Sequence, residues 1–228
     1  MKNKIIITED KMRKLMAELF IAGQGVEIGA LHNPLDVSLG VKVKYVDRLS
    51  VGDLRKQYPE LNNLKLVSVD IICDGEKLEK IPDDSQDFVI ANHFLEHCED
   101  PIKAIKNMLR VINSGGFVYL AIPNKEHSFD IDRPVTTFNH LERDYARGPL
   151  SSRKKHFEEW VKLVNKTQGR DEIEQAVNSL MKNQYSIHFH VWDTNELLSF
   201  FVKIQKYFSF EIMAFIKNGS EIIVILSK

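Results

Sequence analysis

The sequence predicts an α/β fold: a doubly wound, mostly parallel seven-stranded sheet with an antiparallel C-terminal hairpin strand and a helical insertion after the fifth strand. Three observations carry that expectation. Strand-like and helix-periodic segments alternate through residue 123, and parallel neighbours need crossover connections. Near the end, "YFSFEIMAF" and "SEIIVILSK" are joined only by "IKNG", a linker that forces antiparallel pairing, so one strand must run backwards. Between them, the stretch from Asn124 to Tyr185 is rich in His, Asp, Arg and Lys and too long to be a connector.

Taken in order, residues 9–23 carry Met12, Leu15, Met16, Leu19 and Phe20 at helical spacing, with acids in the first turn and a glycine at the end. "GVEIG" (25–29) follows as a short strand. "VKVKYVD" (41–47) alternates valine and lysine, which suits a strand near the sheet edge. "LKLVSVDIICD" (64–74) is apolar and β-branched and reads as the third strand, and "QDFVIAN" (86–92) as a buried fourth. Residues 100–116 read as a helix closed by glycines, and "FVYLAIP" as a very hydrophobic fifth strand. Helical stretches are expected around 153–166 and 170–182, after a break at "RGPLSS" (147–152). In "RKKHFEEW", Phe157 and Trp160 should pack inward beneath a solvated face, which could also serve as a basic rim for a phosphorylated acceptor.

The 228 residues suit one domain, 1–228, with 124–185 folded over the active face as a substrate-covering segment. With 31 basic and 32 acidic residues the formal charge is −1, which argues against nucleic acid as the partner. Cys73 and Cys98 have no metal-ligand spacing and read as reduced core thiols. The apolar run in "MKNKIIITED" is far short of a signal core, and no stretch approaches the ~20 apolar residues of a membrane span. A cytoplasmic location is expected; oligomeric state is not encoded legibly.

Ligands of open α/β sheets bind beyond the carboxyl ends of the strands, where strand order reverses. The unusual residues fall there: Glu27 and Gly29 on the first strand, Asp47 on the second, Asp74 on the third and Asn92 on the fourth. An acid about 20 residues past the glycine strand is placed to accept both hydroxyls of an adenosine ribose, which is the position of Asp47. Dinucleotides need glycines for close approach to the pyrophosphate, and here Leu31, His32, Asn33 and Pro34 follow Gly29 instead. S-adenosylmethionine has the ribose and adenine without the phosphate, and Glu27 can pair with its ammonium directly or through water. A nicotinamide-dependent oxidoreductase is disfavoured by the same loop.

The run "VEIGALHNP", "YVD" and "VDIICDGEKLEKIPDDSQDFVIANHFLEHCEDPIKAIKNMLRVINSGGFVYLAIPN" resembles the class I S-adenosylmethionine-dependent methyltransferases, in particular the methyltransferase-11-type group. The resemblance covers roughly 9–123 and the C-terminal hairpin. It implies that Glu27, Gly29 and Ala30 line the methionine part, Asp47 the ribose, and Asp74 with Gly75 the adenine edge, while Asn92 and His93 flank the methyl donor. Where that family has further glycines, this chain has Leu31 and Asn33. The insertion "FDIDRPVTTFNHLERDY…HFEEW…HFHVWD" resembles methyltransferases found with surface-polysaccharide synthesis, which implies a small-molecule or glycan acceptor and O-methylation.

Methyl transfer is an in-line displacement that depends on holding the nucleophile aligned, with a base needed for a hydroxyl or charged amine. Histidine has the acidity for that role. His127, four residues past Pro123, is the first candidate and His97 in "LEHCEDP" the second, the latter also readable as a capping or packing residue; His140, His156, His188 and His190 lie further along. Asp130, Asp132 and Arg133 in "SFDIDRP", with His140, His188 and His190, are expected on the acceptor side. Asp130 and Asp132 also form a DxD pair of the kind that holds a divalent metal in glycosyltransferases, though one acid could simply pair with Arg133. "HFHVW" sets His188 and His190 on one side of an extended segment; spacing reveals no third ligand, so they read as a polar wall and no metal site is expected. A non-catalytic binding module or partner subunit retaining the methyltransferase fold is the alternative.

Overall fold

A computed structural model describes residues 8–228. The apolar run weighed above as a leader core lies outside them. One seven-stranded sheet runs in the order β3-β2-β1-β4-β5-β7-β6. β1 (Gln24–Ile28), β2 (Lys42–Asp47), β3 (Ile71–Ile72), β4 (Gln86–Asn92) and β5 (Ile112–Pro123) are mutually parallel. β7 (Glu221–Ser227) inserts antiparallel between β5 and β6 (Glu211–Asn218), so β7 alone runs backwards, as the short linker requires. The strand order reverses between β1 and β4, which fixes the switch point at their C-terminal tips.

Period-two alternation sends the central strands' side chains to two cores. Val26, Ile28, Val89, Val118, Leu120 and Val224 face one, against α3 (Pro101–Val111) and α7 (Thr194–Ile204). Phe88, Ile90, Tyr119 and Ile223 face the other, beneath Met16 and Ala17 of α1 (Glu9–Phe20). α2 (Val51–Gln57) follows β2, capped by Ser50, whose hydroxyl accepts from the amide of Asp53. Cys73 and Cys98 are free and buried.

Two expected boundaries shift. The third strand spans only Ile71–Ile72; residues 64–70 instead run as a strap, tied by the Val67 amide to the Leu31 carbonyl at 2.8 Å and by the Asp70 carboxylate to the Tyr45 amide at 2.8 Å. Their β-branched composition reflects contact with the loop after β1 rather than strand pairing. The helix expected over 100–116 ends at Val111, and β5 starts at once, its glycines taken up in the sheet; a Cβ on Gly116 would stand 2.8 Å from the Asp87 carbonyl.

Between β5 and α7 the chain builds α4 (Phe138–Arg147), α5 (Leu150–Leu163) and α6 (Arg170–Lys182), broken at Gly148 and Pro149 as expected. Phe157, Val161, Val177, Ile187 and Phe189 give α5 and α6 a small core of their own, with Trp160 packed against it. No helix among the described residues is long and apolar enough to cross a membrane.

Candidate functional site at the strand tips

β1 ends by burying an acid. Glu27 is 1% exposed; its Oε1 accepts the Leu35 amide at 2.9 Å, and its Oε2 has no partner among the described residues. Burial pushes its carboxyl up to about 7. The turn that brings Leu35 back needs two left-handed residues, Gly29 at φ +65° and, unusually, Leu31 at φ +49°. The glycine-poor loop therefore closes at the cost of backbone strain in a branched residue. Ala30, Leu31 and Asp47 line a hollow beneath the strap, together with Tyr45, Leu54 and Val67. It is narrow, about 10 Å³, room for one water. Asp47 Oδ1 accepts the Leu49 amide at 3.3 Å, and burial raises its carboxyl above the usual range.

The third tip is more self-contained. Asp74 Oδ1 accepts the Glu76 amide at 2.9 Å and its Oδ2 meets Lys77 Nζ at 2.7 Å, an aspartate-closed turn. Gly75 is required by packing: a Cβ there would stand 2.6 Å from Ile28 Cγ2 and 2.7 Å from Phe94 Cζ. At the end of β4, both polar atoms of the Asn92 side chain are buried without a partner among the described residues. His93, at φ +49°, places Nε2 3.0 Å from Glu221 Oε2. Burial lowers its basicity, but the Glu221 hydrogen bond and the Glu96 and Glu221 charges outweigh this and raise it above the ordinary imidazole value.

Glu221 was not legible as a site residue, although it is the lone acid heading an otherwise apolar strand. Pairing with Pro123 sets it at this same edge. Against the effect of burial, hydrogen bonds from Arg13, His93 and Asn218 hold its carboxyl down at about 2.

The residues expected on the acceptor side lie beyond β5, between His127 and His190. His127 is exposed in the short turn Lys125–His127, and its ring has no hydrogen bond among the described residues. His97 instead turns inward: Nδ1 donates to the Ile187 carbonyl at 2.9 Å, and burial lowers its basicity to about 3. Asp130 and Asp132 diverge. Asp130 is buried between Arg133 Nη1 at 2.8 Å and His188 Nδ1 at 2.7 Å, whereas Asp132 is exposed and paired with Lys166. The pair therefore does not form a DxD metal clamp. Arg133, 1% exposed, bonds Glu159 at 2.8 Å and the His188 carbonyl at 2.8 Å as well, tying the loop to α5 and to the extended segment. His140 Nε2 lies 3.0 Å from His156 Nε2 and 3.1 Å from Asp144 Oδ2.

His188 and His190 do not form one wall. They enter two separate buried groups, Glu96–His97–His188 and His140–His156–His190. Spacing reveals no third ligand; the fold supplies one for each, because the extended segment is fixed against the turn after β4 by the Phe189 amide donating to the Glu96 carbonyl at 2.7 Å.

Residues 28–120 match the methyltransferase domain family. An uncharacterized protein of Methanocaldococcus jannaschii is 26% identical over 165 residues, covering 71% of this chain and 65% of that protein; the match thus spans less than two thirds of the relative's length. Among solved structures, a putative Zn-dependent alcohol dehydrogenase from Rhodobacter sphaeroides aligns with a TM-score of 0.58 at 14% identity, covering 96% of this chain and 89% of that one. A putative methyltransferase in complex with a Haloferax volcanii methyltransferase activator gives 0.54 at 12% identity, covering 96% and 88%. A Thermotoga maritima S-adenosylmethionine-dependent methyltransferase, titled a possible histamine N-methyltransferase, gives 0.50 at 16%, covering 97% and 90%. At these identities the structural likeness speaks for the fold.

Proposed function

We propose, from the premise that residues 28–120 carry a methyltransferase domain on a class I S-adenosylmethionine-dependent fold, that the chain methylates an oxygen of a small polar or carbohydrate-type acceptor. The observation that carries this reading is a pair of polar groups on adjacent strands, Glu27 Oε2 on β1 and the Asn92 amide on β4, both buried and without partners among the described residues. Buried polar groups are rarely left unpaired, and an amino-acid ligand with an ammonium group supplies what a carboxylate oxygen needs. Asp47, on the next strand, is the acceptor for ribose hydroxyls, and the loop around Leu31 suits a ligand without phosphate. Asp74, closed on its own turn, contributes backbone geometry more than its side chain.

Bound there, S-adenosylmethionine supplies an electrophilic methyl group, and the chain's part is to align the acceptor and exclude water. In this reading the whole chain works as one domain, with residues 124–185 as the cover. His127, exposed beyond β5 with its ring free among the described residues, takes the acceptor proton. His97 is poorly suited, since burial keeps it neutral and weakly basic. A sugar-like acceptor is supported by the exposed Phe129 and Ile131, with Trp160 edge-on to Phe129 at 5.5 Å. With an acceptor in hand, His127→Ala should lower turnover while leaving cofactor affinity intact.

The narrow hollow favours one other reading, a binding module that keeps the fold without the cofactor. Calorimetric titration separates the two. Saturable binding of S-adenosylhomocysteine, with none of NAD, supports the methyltransferase, which then requires Leu31 and the Val67 strap to part. Binding of neither supports the module.

A further inference from the structure

We propose that Glu96, His97 and His188 form a binding site for one divalent first-row transition-metal ion of the zinc class. Glu96 follows β4, in the turn Leu95–His97, and its carboxylate is 0% exposed with neither oxygen hydrogen-bonded among the described residues; His93 Nδ1 and His188 Nε2 face Oε1 at 3.7 and 3.9 Å. A fully buried carboxylate without a hydrogen bond is among the costliest groups a fold can hold, and imidazoles at that range do not satisfy its oxygens, so it calls for a bridging cation.

The surrounding imidazoles present lone pairs to it. His97 Nδ1 faces the Ile187 carbonyl at 2.9 Å, which can only accept, and the Ser186 hydroxyl at 3.0 Å, which can accept as well, so a proton on Nδ1 serves both and leaves Nε2 free. His188 Nδ1 faces Asp130 Oδ2 at 2.7 Å, which assigns its proton in the same way and leaves Nε2 directed at Glu96 Oε1, 3.9 Å away. Two donors bound at about 2.0–2.2 Å to a shared ion stand about 3.3–3.6 Å apart at a tetrahedral angle, so this pair needs to close by only a few tenths of an ångström. One ligand atom from each of the three residues lies within 4.8 Å of the others, close enough for side-chain rotation to bring them onto one ion. Asp130, itself clamped by Arg133, behind one histidine and a carbonyl behind the other form the outer support that metal-bound imidazoles use.

The neighbouring trio makes the contrast. His140 Nδ1 accepts from Arg143 at 2.8 Å, which puts its proton on Nε2, toward His156. A cation donating to the outer nitrogen opposes metal binding there. Two imidazoles and a carboxylate select zinc, iron(II), cobalt(II) or manganese(II) over magnesium or calcium, and three protein ligands leave a coordination position open.

The test uses the full chain, stripped with a chelator and titrated with cobalt(II), then zinc(II). Expected are one equivalent per chain, visible cobalt bands displaced by zinc, and a zinc-dependent rise in Tm. Glu96→Gln and His188→Asn should each weaken binding at least ~10-fold, and Asp130→Asn by a similar factor, while His156→Asn binds like the wild type. Absence of one-equivalent binding by the stripped wild type overturns the proposal. So does undiminished binding by Glu96→Gln, or loss confined to His156→Asn. Should the variants not fold, zinc-edge X-ray absorption on the wild type decides: two imidazoles with oxygen ligands support the site, and three imidazoles contradict it.

Discussion

The strand tips and the helical segment after β5 are both rich in polar side chains, yet they treat those side chains in opposite ways. At the tips, Glu27 Oε2 and the whole Asn92 amide are buried and left without partners among the described residues. In the loop that joins β5 to that segment, Arg133 spends its guanidinium on Asp130, Glu159 and two carbonyls, and Asp130 divides itself between Arg133 and His188. Residue type alone marks both regions as candidate sites. Satisfaction separates them: a buried group with its hydrogen bonds made holds the fold together, and one without them waits for a ligand. The tips' pattern recurs at Glu96, just after β4, and at single atoms of Asp144, His190 and Trp192.

Substitutions on the two sides should break differently. The largest effect falls beyond β5, where Arg133→Ala strands Asp130 and Glu159 and should cost about 3–5 kcal/mol of stability, measured by urea unfolding. The affinity of the remaining folded protein for S-adenosylhomocysteine should be unchanged; a selective loss of affinity would erase the distinction.

Next is Glu27→Gln, which should make the ligand-free protein more stable at pH 8. The Glu27 carboxyl titrates at about 7 in the folded chain against an ordinary value of 4.5. Folding therefore favours the protonated form, and that contribution is full below about pH 4.5 and lost as pH rises through about 7. Removing the charge recovers up to the order of 3 kcal/mol at pH 8, visible as a higher Tm. A lower Tm there would mean that Glu27 is already satisfied.

Gly75→Ala should cost about 1–3 kcal/mol, because its Cβ meets Ile28 and Phe94 in a packed core. The smallest effect belongs to Asp132→Asn: exposed and paired only with Lys166, it should change stability by less than about 0.5 kcal/mol. A clear loss of methyl transfer in that variant, once an acceptor is known, would restore it to the acceptor side.

The sheet was legible because its signals are local: apolar alternation, turn residues and a linker too short to cross over. The third strand was misjudged because "LKLVSV" carries strand composition while serving as a strap over Leu31, a distinction only tertiary contact makes. Glu27, Asp47 and Asn92 could be placed at strand tips from chain position. Glu221 could not, because its membership of the same edge depends on β7 inserting beside β5. Histidine clustering was equally hidden: "HFHVW" shows two histidines, and their partners arrive from about 90 and 50 residues away through the packing of α4 and the turn after β4.

The central claim is that Glu27 is held buried and half satisfied for the ammonium of an amino-acid-bearing cofactor. Its most direct test is the affinity of S-adenosylhomocysteine for the wild type and for Glu27→Gln, measured by calorimetry from about pH 6 to about pH 8.5. Wild-type affinity should climb as pH passes about 7, where the carboxylate forms, and the variant should bind at least ~100-fold more weakly above that pH, with no such rise. Equal affinities with the same pH dependence in both proteins would contradict the account.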